Sequence, residues 1–341
     1  MPELRFLVVR LSSLGDIVHT FPAVAGLRES FPKAEIVWLT HPRWKPLVES
    51  SSLATEIWAT ETRSFASLLE IHRRIRAQGF ETAIDYQGLW KSAAFSFLGG
   101  VPRRIGFSSE TVREYGVPIL YTDRVRTAQT HIADQNGELS QRAGAHHATG
   151  TVNLSASPGE ESDFRGYLAG LGVDRYVALS PGGGWRSKCW PPERFGSLCK
   201  KIRNSLGLRC IVNHGPGEES LAEAVRNASG DAAPILYDGE LGQLMALLRN
   251  ALCIVGGDTG PLHLAVALGT PSVALFGPTD PARNGPYRGG SSANAVPIDV
   301  VLRSPRAVTT YKRGSQVDPS MLEIEVDTVF ESVRRLVEAR T

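Results

Sequence analysis

The feature that most constrains this chain is a pattern that occurs twice. Short, unbroken apolar runs exit into polar, glycine-bearing turns and then into helices. In the first half, Phe6-Leu7-Val8-Val9 reads as a buried strand, and Leu11 to Asp16 as its exit turn. A helix with Ile17, Phe21, Val24 and Leu27 at helical spacing follows, with Pro22 early in it. Glu35–Leu39 and Thr82–Asp85 are further strands, and Ser67–Gln78 is a helix closed by Gly79. The second half repeats the plan. Tyr176–Ser180 runs into Pro181-Gly182-Gly183-Gly184, and Cys210–Asn213 into Gly215-Pro216-Gly217. Cys253–Gly256 runs into Gly257-Asp258-Thr259-Gly260, and Ser272–Phe276 into Gly277-Pro278-Thr279-Asp280. Helices are expected over 191–206, 218–228 and 241–250, and through His263 and Ala267. Apolar runs that alternate with helices build parallel sheets covered on both faces. The expected fold is α/β, with two Rossmann-like domains whose parallel sheets face a central cleft. Ligands of such sheets bind beyond the carboxyl ends of the strands, which is where the glycine loops fall.

Length agrees with two domains, since 341 residues is about twice a common domain size. The Ala-, Ser- and Gly-rich stretch from Gly144 to Pro158 reads as the linker. It separates an N-terminal domain over 1–155 from a C-terminal domain over 172–322. The last helix, Val326–Ala339, is expected to cross back onto the first domain. A net charge of +2 argues against a broadly basic nucleic-acid surface. Four cysteines without metal-site or C-x-x-C spacing read as reduced thiols of a cytosolic protein. The N-terminus resembles neither a signal peptide nor an anchor, and no apolar stretch is long enough for a bilayer span.

Several loops carry candidate chemistry. Asp258-Thr259-Gly260 ends a strand and opens a helix, so backbone N–H groups and the positive helix end converge on one point. Alone, Asp258 or Thr259 reads as an N-cap. Four polar Gly/Pro loops at one sheet edge shift the reading toward a nucleotide pocket. His263 lies one turn further on. Lys188 follows the triple glycine and by itself reads as a solvated loop lysine, the alternative being a cation that neutralises a diphosphate. Glu219 opens a helix after Gly215-Pro216-Gly217, where an acid meets a ribose hydroxyl or simply favours the first turn. Asp16 opens the first helix, in a position that keeps a carboxylate ionised. No P-loop and no G-x-G-x-x-G fingerprint occurs, which argues against kinases and NAD enzymes.

Five blocks then resemble one family. Residues 12–23, SSLGDIVHTFPA, look like the opening motif of the ADP-heptose:lipopolysaccharide heptosyltransferases, glycosyltransferase family nine. Residues 85–93, DYQGLWKSA, are similar to their D-x-Q-G-L-x-K-S segment, and 188–193, KCWPPE, to K-x-W-P-x-E. Residues 258–267, DTGPLHLAVA, resemble D-T-G-x-x-H-L-x-x-A, and 276–281, FGPTDP, resemble F/Y-G-P-T-D-P. The subgroup resembled is heptosyltransferase I.

The resemblance implies a GT-B fold and an inverting, metal-independent transfer of heptose from ADP-heptose to the Kdo of the lipopolysaccharide inner core. It implies no cofactor and no metal. Asp16 would be the general base. Lys188, Glu219, Asp258, Thr259, Gly260, His263, Ser180 and Gly182 would hold the donor. Ser13, Gly15, Gln87, Arg113 and Arg63 would meet the anionic, lipid-linked acceptor. The partners expected are the nucleotide sugar and Kdo-lipid A, with no nucleic acid, for a monomer at the cytoplasmic face of the inner membrane. The loop Gly-Gly-Gly-Trp-Arg-Ser departs from the family's Thr- and Asp-bearing pattern. The basic segment 302–319, with Arg303, Arg306, Tyr311, Lys312 and Arg313, has no family match and reads as a solvated loop. Three alternatives stay open: a same-fold transferase acting on protein or another glycan, a nucleotide-sugar epimerase, and a non-catalytic nucleotide-sugar binder.

Overall fold

A computed structural model describes residues 4–61, 65–289 and 298–340. The chain divides into two compact units, Met1–Leu154 and Ser155–Thr341.

The first unit holds β1 (Arg5–Val9), β2 (Glu35–Thr40), β3 (Glu56–Ala59), β4 (Thr82–Asp85), β5 (Arg103–Phe107) and β6 (Asp123–Val125). All pair in parallel, in the order β3-β2-β1-β4-β5-β6. The second unit holds β7 (Tyr176–Ser180), β8 (Arg209–Asn213), β9 (Ile235–Tyr237), β10 (Ile254–Gly257), β11 (Ser272–Phe276) and β12 (Asp299–Arg303). Its parallel order is β12-β11-β10-β7-β8-β9. Counted from its own first strand, each sheet runs 3-2-1-4-5-6, the doubly wound nucleotide-binding order. The order in which successive strands join the sheet reverses between β1 and β4 in one unit, and between β7 and β10 in the other. Those two switch points are where such sheets bind ligands.

Burial explains the central strands. Residues 6–9 of β1 and all of β7, β10 and β11 are buried, which suits their unbroken apolar runs. Strands β3, β5, β6, β9 and β12 went unread in the sequence. They are short and partly exposed, and four of them carry Asp, Glu or Arg. The expected basic loop in fact begins inside β12, which pairs with β11 over Asp299–Arg303.

Three local differences have physical causes. The first helix is two, Leu14–Val18 and Phe21–Ser30, because Pro22 has no N–H to offer the Val18 carbonyl. The expected linker starts too early: Gly150 N–H donates to Pro22 O at 2.8 Å, and a Cβ on Gly26 would stand 2.6 Å from His147 O. Residues 147–150 therefore pack on the helix 21–30, and the division between units falls after Leu154. The final helix, Val326–Glu338, belongs to the second unit. Val329, Phe330, Val333, Leu336 and Val337 lie in the core of the second unit with Val177, Leu198, Ile202 and Leu275. Each such side chain contributes roughly 1.5–3 kcal/mol of apolar burial.

Candidate active site

The first unit gathers its candidates at the β1/β4 switch point. Arg10 directly follows β1 and is 2% exposed. Its Nη2 lies 2.7 Å from Asp16 Oδ1, and its Nη1 donates to Tyr86 O just beyond β4. The other Asp16 oxygen, Oδ2, accepts from Ser13 N–H at 3.1 Å and Ser13 Oγ–H at 3.0 Å. Arg113 Nη1 stands 3.7 Å from that oxygen. Burial disfavours the Asp16 charge, but Arg10, Arg113 and the two Ser13 donors outweigh it and hold its pKa at about 2. The side chain remains 31% exposed, so an incoming group can reach it.

Gln87, 2% exposed, braces this turn: its Oε1 accepts from Leu11 N–H at 2.6 Å and its Nε2 donates to Ser12 Oγ at 3.4 Å. Asp85, at the end of β4, accepts from Tyr121 OH, Ser92 Oγ–H, and the N–H groups of Gln87 and Gly88. Burial nevertheless pushes its pKa up. Ser13, Gly15, Gln87 and Arg113 thus surround or support Asp16, whereas Arg63 lies outside the described residues. Arg10 escaped the sequence reading. Its only signal is a lone arginine straight after an apolar strand.

Asp16 makes a pH-dependent contribution with a definite sign. Its folded pKa lies below the ordinary 3.8, so its stabilisation is full above about pH 4 and is lost as pH falls toward 2. The difference is on the order of 2 kcal/mol. Urea unfolding of wild type and Asp16→Asn across this range should show the two curves converging on acidification. Parallel curves would mean that Asp16 titrates normally.

The second unit gathers its candidates at the β7/β10 switch point. Ser180, Gly182, Gly183, Gly184, Glu218, Thr259, Gly260 and Pro261 line one cleft. The helix Gly260–Ala267 points its N-terminus there, and buried Thr259 Oγ1 makes no hydrogen bond among the described residues. Behind them, Asp258 Oδ1 is 3.0 Å from His263 Nε2, and its Oδ2 is 3.4 Å from Lys188 Nζ. Lys188 Nζ also lies 4.4 Å from the centre of the Trp185 ring. All three members of the Lys188–Asp258–His263 row are buried.

The acid on this cleft is Glu218, not Glu219. Glu218 Oε2 accepts from Gly215 N–H at 2.9 Å, and a Cβ on Gly182 would stand 2.2 Å from Glu218 Oε1. Glu219 is exposed in the first turn of its helix, bonded to Gly217 N–H at 3.0 Å. The helix starts at Glu219, so the residue before it turns back toward Gly182.

The basic segment is largely exposed, as expected of a solvated loop, but it is anchored at several points. Thr310 N–H donates to Pro278 O at 2.7 Å and Asp318 N–H to Ser187 O at 3.1 Å. Arg313 Cζ lies 5.8 Å from the centre of the Trp185 ring, and Arg283 Cζ 5.4 Å from that of Tyr311. The segment is therefore tied to the loop that carries Lys188.

Two sheets in the nucleotide-binding order, each with polar groups converging on its switch point, define a protein of two Rossmann-like units. The sequence comparisons sharpen this class. The model of "Glycosyltransferase family 9 (heptosyltransferase)" matches residues 68–299, and the chain belongs to that family. It is similar to lipopolysaccharide heptosyltransferase 1 of Escherichia coli K12, with 28% identity over 301 residues, 83% of this chain and 91% of that protein. In fold it resembles a family 9 glycosyltransferase of Veillonella parvula, with TM-score 0.83 and 21% identity over 98% of both chains. It also resembles the Escherichia coli heptosyltransferase WaaC with ADP, with TM-score 0.72 and 22% identity over 98% of this chain and 100% of that one. The protein is a glycosyltransferase with the GT-B fold.

Proposed function

We propose that this enzyme transfers heptose from ADP-heptose to the Kdo of lipopolysaccharide inner core, with inversion and without a metal. The observation that carries the reading is the Asp16 carboxylate, ionised by Arg10 and Ser13 yet still reachable beside Arg113. The family membership and the names of the relatives support the donor and acceptor classes.

The chemistry is one in-line displacement. The acceptor oxygen forms a bond to the anomeric carbon as the bond from that carbon to the diphosphate oxygen breaks, through an oxocarbenium-like state. The hydroxyl proton passes to an Asp16 oxygen. A carboxylate of low pKa suffices, because the hydroxyl becomes strongly acidic only as the new bond forms. Arg113 is placed to engage the Kdo carboxylate. Once so neutralised it depresses the Asp16 pKa less, which makes the base stronger when the acceptor is seated. On the donor side, Lys188 and the N–H groups opening helix 260–267 receive the charge that develops on the leaving ADP. In this reading Glu218 accepts a hydrogen bond from a ribose hydroxyl, and Thr259 Oγ–H donates to a phosphate oxygen. Asp258 orients Lys188 and His263 toward the donor.

The test is transfer itself, with ADP-heptose and Kdo-terminated lipid A, alongside thermal shifts by ADP, GDP and UDP. The expected result is heptosylated product and a preference for ADP. A preference for UDP, or epimerised donor formed without acceptor, would overturn the reading.

A further inference from the structure

Helix Trp90–Leu98 in the first unit is amphipathic in the wrong sense for a water-facing helix. Ser92, Ala93, Phe95 and Ser96 are buried. The outward stripe is Trp90, Lys91, Ala94, Phe97 and Leu98, at helical spacing i, i+1, i+4, i+7, i+8, with only one charge. Trp90 is 46%, Phe97 45% and Leu98 49% exposed. The loop beside it continues the patch, with Tyr115 at 92% and Ile119 at 70% exposure. The two pieces adjoin. Trp90 N–H donates to Glu114 Oε2 at 2.8 Å, and a Cβ on Gly116 would stand 3.0 Å from the Trp90 ring. Arg104 ties the far end, donating to Leu120 O at 2.8 Å with its Cζ 5.5 Å from the centre of the Phe97 ring.

Five large apolar side chains outside one unit need an occupant. Charge says which. Residues 90–126 hold six Lys and Arg against three Asp and Glu, a net +3 in a chain whose total is +2. A second copy docked on this face would set like charges against each other. An anionic bilayer complements them, and Trp and Tyr are the residues that settle at a headgroup boundary. Membrane attachment is stable when apolar insertion and basic charge act together. The position also fits. Arg113, beside Asp16, precedes Tyr115 by two residues.

We propose that Trp90, Phe97, Leu98, Tyr115 and Ile119, with Lys91 and Arg104, form a docking surface for anionic lipid membranes. It holds Asp16 at the height of a sugar projecting from the bilayer. The purpose of the surface rests on the lipid-borne acceptor proposed above, and the experiment separates the two.

The probes are vesicles of phosphatidylcholine alone, and of phosphatidylcholine with about a third phosphatidylglycerol. The full-length wild type should co-sediment with the anionic vesicles at least about tenfold more strongly than with the neutral ones. The triple variant Trp90→Ser, Phe97→Ser, Ile119→Ser and the single variant Lys91→Glu should each lose most of that binding. Their melting temperatures should stay, because the altered side chains are exposed. Transfer to vesicle-borne acceptor should fall about tenfold, while transfer to a soluble acceptor freed of its acyl chains stays within about twofold. Wild type that ignores anionic vesicles, variants that bind as wild type does, or equal loss on both acceptors would each overturn the proposal. So would a patch variant that dissociates a dimer while vesicle binding persists. Vesicle binding that needs the patch, in an enzyme that transfers no heptose to either acceptor, would leave the docking surface standing and remove the acceptor reading instead.

Discussion

Asp16→Asn is expected to lower kcat for transfer by at least about 100-fold while leaving the affinity for ADP unchanged. Asparagine keeps the shape and can still accept from Ser13, but it cannot take the acceptor proton. The cleft proposed for the donor belongs to the other unit, so binding of ADP by calorimetry is an internal control. There is a stability cost to separate out. Arg10 is 2% exposed and loses its charged partner at 2.7 Å. An orphaned buried guanidinium costs about 3 kcal/mol. The double variant Arg10→Met, Asp16→Leu removes both charges together and should recover much of that stability without recovering turnover. If the double variant were active, or if Asp16→Asn kept kcat within a few-fold, Asp16 would be a structural partner of Arg10 and not the base. The same base predicts that kcat/KM shows no acidic limb from Asp16 above about pH 4, because its pKa is held at about 2.

What could be read in advance, and what could not, follows from where each decision is made. Strands β1, β4, β7, β10 and β11 are buried nearly throughout, so their apolar runs announce them. An edge strand such as β12, Asp-Val-Val-Leu-Arg, keeps charged ends in water and reads as loop. The glycine exits marked both switch points because backbone must approach a ligand closely there. The one-residue choice between Glu218 and Glu219 was not legible. Either acid suits a first turn, and only the helix start decides which one turns back over Gly182. The partner of Asp16 was hidden for a similar reason. Arg10 is committed by Tyr86 O and Asp16, groups supplied by other segments. The last helix showed a strongly apolar face but nothing in its pattern said which sheet it covers.

Lys188→Met is the complementary experiment, expected to lower kcat by roughly 10²–10³, the usual consequence of losing one preorganised group from developing negative charge. Lys188 is buried and makes two contacts, with Asp258 Oδ2 at 3.4 Å and the Trp185 ring at 4.4 Å. Methionine keeps the stem against the indole, so packing survives. Asp258 keeps His263 at 3.0 Å and is not left without a partner. Unlike Asp16→Asn, this variant should also weaken ADP about tenfold and AMP much less, since the charge is proposed to meet the diphosphate. Equal loss for ADP and AMP would move Lys188 to a general packing role. The two variants together test the mechanism itself. In a single displacement the base and the leaving-group cation act on one transition state, so the double variant should lose about the product of the separate losses. A double variant no slower than the worse single variant would mean that proton removal and departure of ADP limit separate steps, and the concerted inversion would have to be abandoned.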